Sequence, residues 1–151
     1  MEAGEAIEKA MKDGNVKKII DDGFFLASAF SSLKKGKITE WILLFFNSKT
    51  KKTIDCYVTQ NINLDEEMPA LKELTELNTE KIKISAEEAI ETAKSKFSGS
   101  AISTLITITT KERVVISITF ISAALQATIY DIDAENGEIL REESANLARR
   151  A

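Results

Sequence analysis

The sequence predicts an α+β fold in which helices pack against antiparallel strands, and three observations support this. Apolar residues recur at helical spacing near residue 3 and again near residue 86. Each helical pattern is followed by alternating, β-branched or aromatic runs that short polar turns separate, which is typical of antiparallel strands. The order of helix and then strands occurs in both halves. We therefore expect two tandem units, each a helix followed by an antiparallel meander.

Size and composition are those of an ordinary folded protein. The chain has 151 residues, of which 44% are hydrophobic and 29% charged, so it can bury a core without disulfides or metals. Cys56 is the one cysteine; it lies in a strand-like run, and we expect a small buried thiol. No apolar run reaches the roughly 18 residues of a membrane span. The expected location is cytoplasmic as written, or extracytoplasmic if a leader or anchor has been trimmed.

The first unit, residues 1–60, opens with two helical patterns. Residues 3–11 place apolar side chains on one helix face, and a second short helix follows and ends near Gly23. The segment 24–33 fits either a strand or a continued helix, because a 3.6-residue period persists. We favour a strand, since strands directly follow the helix of the second half. Strands are also predicted over 38–46 and 53–59.

The segment 61–84 is predicted to be an acidic helical connector between the units. It contains the only proline, Pro69, and then Leu71, Leu74 and Leu77 at a spacing of three. These features indicate a short linking helix.

The second unit, residues 85–151, begins with a capping box in which Ser85 and Glu88 bond each other's backbone amides. A helix should extend from there to about residue 97. Strands are predicted over 102–110, 114–121 and 125–133, and a hairpin at Gly137 should lead into a short strand over 138–140. Residues 142–149 have a helical pattern.

Two stretches of this unit resemble the PepSY domain family. They are Ile-Ser-Ala-Glu-Glu-Ala-Ile at 84–90 and Tyr-Asp-Ile-Asp-Ala-Glu-Asn-Gly-Glu-Ile-Leu at 130–140. The family's usual ending is similar to Asp-Ala-x-Thr-Gly-x-Ile, and Asn136 replaces the threonine here. The resemblance is strongest over 82–142, with a diverged second copy at 3–60. It implies a PepSY/cystatin-like helix on an antiparallel sheet and a role in binding or restraining another protein.

Missing residue types exclude most familiar enzyme designs. The chain has no histidine and a single cysteine, and its six glycines are scattered. Histidine-based acid–base sites, thiolate metal clusters and phosphate-binding loops are thus excluded. We predict a non-enzymatic protein with no catalytic, cofactor-binding or metal-binding residues and no cofactor.

One acidic motif suggests an alternative. Asp131, Asp133 and Glu135 alternate, and Glu142 occupies the twelfth position of a calcium loop that begins at Asp131. An EF-hand requires glycine at the sixth position, where Asn136 stands, and flanking helices rather than strands. A structural turn with solvated carboxylates is therefore favoured. An enzyme that uses Asp131 or Asp133 as acid or base is the least favoured function.

The expected partner is a protein or peptide, without nucleic acid and without a membrane segment in this chain. Six lysines lie in two turns and are attributed to solubility and edge protection; they are Lys34, Lys35, Lys37, Lys49, Lys51 and Lys52. A homodimer through a sheet edge or an aromatic face is also considered. The alternative function is a small apolar ligand carrier or sensor, with a pocket between helix and curled sheet near Trp41, Phe30 and Phe45.

Overall fold

The protein packs three helices on one face of a nine-stranded antiparallel sheet, in a computed structural model that describes residues 1–148. The helices are α1 (Ala3–Met11), α2 (Gly14–Asp21) and α3 (Ala86–Lys96). The strands are β1 (Phe24–Ser32), β2 (Trp41–Asn47), β3 (Lys52–Val58), β4 (Ile62–Leu64), β5 (Met68–Pro69), β6 (Ser103–Thr110), β7 (Val114–Ile121), β8 (Gln126–Asp133) and β9 (Ile139–Asn146). The predicted α+β class is confirmed.

From the centre of the sheet outward, the strands of each half follow one another in the order of the chain. It is β4-β3-β2-β1-β6-β7-β8-β9, with the short β5 also paired to β3. The central pair joins the two halves, with Ser28 opposite Thr109. One continuous sheet therefore spans both halves, and the division at 1–60, 61–84 and 85–151 stays a prediction.

The core lies between the helices and one face of the sheet. Trp41, Leu43 and Phe45 occupy alternate positions of β2. Their side chains point into this core and are fully buried. Small residues on the helices, such as Ala10 and Ala93, are also fully buried, which lets the helix backbones approach the sheet closely. A single cluster of buried side chains includes residues from both halves.

Residues 24–33 formed the ambiguous segment, and the preferred strand is confirmed. β1 pairs with β2 on one side and with β6 on the other. A register shift between Leu26 and Ser28 marks a bulge in the β1–β2 ladder. Two ladders of backbone hydrogen bonds outweigh the residual helical periodicity of this segment.

The prediction that residues 61–84 form a helical connector is wrong, because this segment contains no α-helix. This segment contains β4 and β5, an irregular stretch over 70–78 and a single 3-10 turn at Thr79–Lys81. Leu71 is fully exposed while Leu77 is buried, so the leucines do not share one helix face. The free edge of β3 accounts for the difference, because it supplies backbone partners to both short strands.

The prediction for the end of the chain is also corrected. The short strand expected over 138–140 continues to Asn146 as β9, so the helix predicted over 142–149 is wrong for 142–146. Residues 149–151 lie outside the described part. The edge of β8 pairs with this segment from Gln126 to Ile132. Gly137, which ends the turn before β9, has the predicted positive φ of 80°.

Candidate functional site

The sheet face opposite the helices, called the outer face below, changes character from one edge to the other. Residues in register on neighbouring strands share a face. One such row crosses the outer face from β3 to β9 and consists of Tyr57, Ile42, Phe30, Thr107, Ser117, Asp131 and Arg141. Tyr57 and Phe30 are 38% and 36% exposed. The row is thus apolar near β3, hydroxyl-bearing in the middle and ionic near β9.

An ion-pair cluster occupies the ionic end of this row, with Asp131 at its centre. One carboxylate oxygen of Asp131 accepts a 2.7 Å hydrogen bond from the Ser117 hydroxyl. The other oxygen accepts from Lys111 Nζ and from Arg141 Nε, each at 3.1 Å. The carboxylate is buried while the two cationic side chains stay about half exposed. Asp131 thereby connects β7, the β6–β7 turn and β9.

Asp133 is the second buried carboxylate of the cluster. It accepts a 2.9 Å hydrogen bond from Arg113 and bonds from the backbone N–H groups of Glu135 at 2.8 Å and Asn136 at 3.3 Å. The backbone oxygen of Asp133 accepts from Gly137 N at 2.9 Å. The motif that carried the family resemblance therefore forms a turn that its own aspartate holds closed.

The same turn also holds the entry to α3. The carbonyl oxygen of Ala134 accepts hydrogen bonds from the backbone N–H groups of Lys83 and Ile84, at 2.8 and 3.0 Å. Since Ser85 is the N-cap of α3, the turn fixes where that helix starts relative to the sheet. The motif has a structural role.

Both carboxyl groups have a pKa below the ordinary value for aspartate. Burial alone would raise the pKa of Asp131, but the hydrogen bonds from Ser117 and Lys111 and the charges of Lys111 and Arg141 outweigh it. The pKa of Asp133 is lowered chiefly by the hydrogen bond from the backbone of Glu135, with Arg113 and Asn136 adding to it against desolvation. Both groups are therefore ionised near neutral pH and have no proton to donate.

A shallow cleft of about 440 Å³ lies over the cluster. Its lining comprises Lys111, Glu112, Arg113, Val115, Asp131, Leu140 and Arg141. The carboxylate of Asp131 is already bonded to two cations and a hydroxyl. These contacts hold the strands together and do not favour proton transfer. Arg141 also pairs with Glu143 at 3.0 Å.

The strand that this cluster fastens, β9, forms an open edge of the sheet. It pairs with β8 on one side, and no strand within residues 1–148 pairs with its other side. Seven of its eight residues are exposed. The opposite edge is different, because β4 has only three residues and β5 two.

The acidic residues of the hypothetical calcium loop are not brought together. Asp131 and Asp133 share the outer face, as the period of two predicts, but they are buried and ion-paired, so the expectation of solvated carboxylates is wrong. Glu135 pairs with Lys81 at 3.6 Å. Glu142 lies opposite Tyr130 on the other face of the sheet. Among the described residues, no three acidic or cysteine side chains are arranged to bind a metal ion.

The proposed apolar ligand pocket is not assembled from its three aromatic residues. Trp41 and Phe45 point into the helix-side core and are fully buried, whereas Phe30 lies beside Ile42 on the outer face. The Trp41 indole N–H donates to the carbonyl oxygen of Met1 at 3.0 Å. These contacts leave the side chains of Trp41 and Phe45 as packing residues of the core.

Cys56 is buried on the same helix side, as expected. Burial, with a smaller effect from the charge of Asp13, raises the pKa of the Cys56 thiol to about 11. Such a thiol carries almost no thiolate at neutral pH and is a poor nucleophile.

The two lysine-rich turns lie at opposite ends of β2 and do not form one basic patch. Lys34 forms an ion pair with Glu40, and Lys51 forms one with Glu73 at 2.6 Å. The seven residues of β2 separate the turns by roughly 20 Å.

The basic and hydroxyl members of the cluster were not identified in the sequence. They are Lys111, Arg113, Ser117 and Arg141. A usable signal existed for one of them, because a tight turn at 122–125 places Ser117 directly opposite Asp131. Arg141 immediately precedes the helical pattern at 142–149, so the sequence gives no indication that it pairs with β8.

Comparison with known proteins gives a family match for the segment that contains the ion-pair cluster. Residues 83–143 match the family model described as the peptidase propeptide and YPEB domain, PepSY. The resemblance to the PepSY family that the sequence predicts over 82–142 is thereby confirmed. The matched segment contains α3, β6 to β8, the turn at Gly137 and the start of β9, so it includes the whole ion-pair cluster. PepSY is a propeptide-type, non-catalytic kind of domain, and no curated protein matches the chain significantly.

A solved structure extends the likeness beyond the PepSY segment. The crystal structure of a candidate lipoprotein from Clostridium difficile 630 aligns with a TM-score of 0.56 at 11% identity. The alignment covers 87% of this chain and 89% of that chain. At this identity the likeness concerns the fold, and its coverage includes most of the first half. No helix within residues 1–148 has the length and apolar character needed to traverse a bilayer.

Proposed function

We propose that this protein is a non-enzymatic module that binds a protein or peptide partner through the helix-free side of its sheet. The observation that carries the proposal is the one-sided cover of the sheet. All three helices lie on the same side, while Phe30 and Tyr57 remain more than one third exposed on the other. Exposed aromatic groups are typical of protein-binding surfaces.

Part of the outer face already holds an irregular segment of the chain itself. Residues 72–75 lie over Ala27, Leu44 and Thr109, and together they line a cleft of about 430 Å³. The backbone of this segment is tied down at both ends, by Ala70 N to Lys51 O and by Leu77 N to Leu26 O. The outer face therefore accommodates a non-helical stretch of chain in this structure, which supports a peptide-like partner.

The family supports a protein partner as well. A propeptide acts on a folded enzyme by contact, and the ion-pair cluster of the PepSY segment holds its carboxylates ionised and fully bonded. Carboxylates bonded in this way hold strands together, as a structural element does. We further propose an extracytoplasmic location, because the structural neighbour is described as a candidate lipoprotein.

Site-specific photocrosslinking in the source cells tests the proposal. A benzophenone amino acid replaces Tyr57, which is an exposed aromatic position of the outer face, and in a matched variant it replaces Lys17 on the exposed side of α2. We expect a discrete protein adduct from position 57 only. The same adducts from both positions, or adducts from neither, would contradict binding through the outer side.

A further inference from the structure

We propose that β9 is a docking edge for an extended basic peptide segment, which adds to the sheet as a strand beyond β9. This inference rests on the proposed function and specifies its surface and the chemistry of its partner. It follows from the backbone groups of β9, from the way the strand is held and from its charge.

The backbone groups that face outward can be assigned from the β8–β9 ladder. Leu147 N donates to Leu125 O at 2.8 Å, directly after the last registered pair of the ladder. In an antiparallel ladder, alternate residues direct both backbone groups to the same neighbour. Glu142, Ser144 and Asn146 therefore direct their N–H and C=O groups away from β8. Within residues 1–148 no backbone group pairs with them, so six hydrogen-bonding groups are available to an added strand.

The strand is held in position before any partner arrives. Arg141 is bonded to Asp131 across the β8–β9 pair at 3.1 Å, and the register continues without interruption from Arg141 to Asn146. A partner strand then meets an edge that is already extended, and binding requires little further ordering of β9. The edge at β4 offers no comparable length, since that strand spans three residues.

The charge of the edge favours a basic partner. Within β9 the charged residues are Arg141, Glu142 and Glu143, and Arg141 is already bonded to Asp131 and Glu143. Opposite charges on directly facing residues stabilise a strand pair, whereas like charges destabilise it. Lysine or arginine at alternate positions of an added strand would share the face of Glu142, which has no ion-pair partner among residues 1–148, whereas Glu143 lies on the opposite face and is paired with Arg141. A second copy of β9 paired in the register centred on Glu142 would place Glu142 against Glu142, a like-charge contact that a basic peptide avoids.

The backbone part of the proposal is tested with a designed probe and a matched pair of variants. The probe is a fluorescent peptide about ten residues long that alternates lysine with valine and threonine, titrated against the full chain at low ionic strength by fluorescence anisotropy. Ser144→Pro removes an outward N–H at an edge position where proline is tolerated, and Ser144→Ala retains that N–H. We expect Ser144→Pro to weaken binding about tenfold or more and Ser144→Ala to change it by less than about twofold.

Circular dichroism melting verifies that both variants remain folded. Equal affinity of two folded variants for the lysine peptide would overturn strand addition, and so would absence of binding to the unmodified chain. If proline at 144 prevents folding, the N-methylated form of the peptide provides the same test on the unmodified chain. Blocking every second amide of the peptide should then abolish binding, and unchanged binding would overturn the proposal.

The charge part is tested by reversal. Glu142 has no ion-pair partner among residues 1–148, so Glu142→Lys changes the edge without breaking the cluster. We expect the variant to bind the lysine peptide about fivefold more weakly and to prefer a peptide with glutamate in place of lysine. An unchanged preference would contradict a basic partner. A dimer that Ser144→Pro dissociates, without peptide binding, would show instead that a second copy occupies this edge.

Failure of this inference can be distinguished from failure of the proposed function. Position 57 lies six strands away from β9 in the sheet order, so the crosslinking residue is also placed at Ala145, an exposed position of β9, with and without Ser144→Pro. Loss of the adduct from position 145 supports docking at β9. An adduct that persists unchanged refutes the role of β9 and leaves the proposed binding through the outer side intact.

Discussion

Glu2 and Ala86 are 84 residues apart in the sequence, yet a carboxylate oxygen of Glu2 accepts a 2.6 Å hydrogen bond from the backbone N–H of Ala86. The second oxygen accepts from Glu87 N at 3.3 Å. Ser85 satisfies the next free amide, that of Glu88, at 3.0 Å. The first turn of α3 is thus capped from its own sequence and from the residue that precedes α1, and a negative charge lies at the positive end of the helix dipole.

Glu2→Ala is expected to lower the free energy of unfolding by about 1–2 kcal/mol, because it leaves two amides of α3 without this acceptor and removes a favourable charge. Urea denaturation followed by circular dichroism measures the change. Glu66→Ala, at an exposed position between β4 and β5, is the matched control and should have little effect. Equal stability of the two variants would show that the contact with α3 contributes nothing.

Asp131 and Asp133 should make the folded protein sensitive to acid. Their pKa values are lowered in the folded state, so their contribution to stability is complete above the unfolded-state pKa of roughly 4 and is lost as the pH falls through the folded-state values. Asp131→Asn should be less stable at pH 7 and should have a smaller loss of stability below about pH 4. Denaturation curves at a series of pH values measure both effects. Asp21→Asn, at an exposed position of α2, is the control, and a pH profile of Asp131→Asn identical to that of the unmodified chain would refute the assignment.

Gly137→Ala is expected to destabilise the protein by about 1 kcal/mol. The φ of 80° is unfavourable for any residue with a Cβ, although the nearest atoms, those of Ile84, lie at an ordinary 3.9 Å. Strain in the backbone is therefore the expected cause, and a clash is not. Gly4→Ala is an informative comparison because Gly4 lies within α1 with open space around it, so that change should increase stability. Thermal melts of the two variants should shift in opposite directions, and shifts in the same direction would contradict this account.

Cys56 should react with a thiol reagent only when the protein opens. The side chain is completely buried, and burial raises the pKa of its thiol to about 11. Labelling by a chromogenic disulfide at pH 8 should therefore be slow in the native protein and complete within the mixing time in denaturant. Rapid labelling of the native chain would indicate that β3 detaches from the sheet in solution.

Local signals in the sequence predicted much of this fold. The capping box at Ser85 and the positive φ at Gly137 depend on a few neighbouring residues, and both were predicted correctly. β4, β5 and most of β9 were missed because they exist by pairing with the edges of β3 and β8, and such pairing leaves little trace in the segment itself.

The ion-pair cluster was missed for a related reason. Asp131 meets Arg141 only because β9 continues beside β8 in one particular register. The sequence has a helical pattern over 142–149, and that pattern gives no indication of a contact between Arg141 and Asp131. The alternation of Asp131 and Asp133 did predict correctly that both carboxylates share one face.

The strand order has a consequence for the kinetics of folding. Every other pair of long strands joins neighbours along the chain, but partners in the β1–β6 ladder are separated by 73 to 81 residues. Closing so long a loop has an entropic cost that no nearby contact offsets until the flanking hairpins exist. The hairpins should therefore form first, and zipping of the central ladder should set the overall rate at which the native state appears.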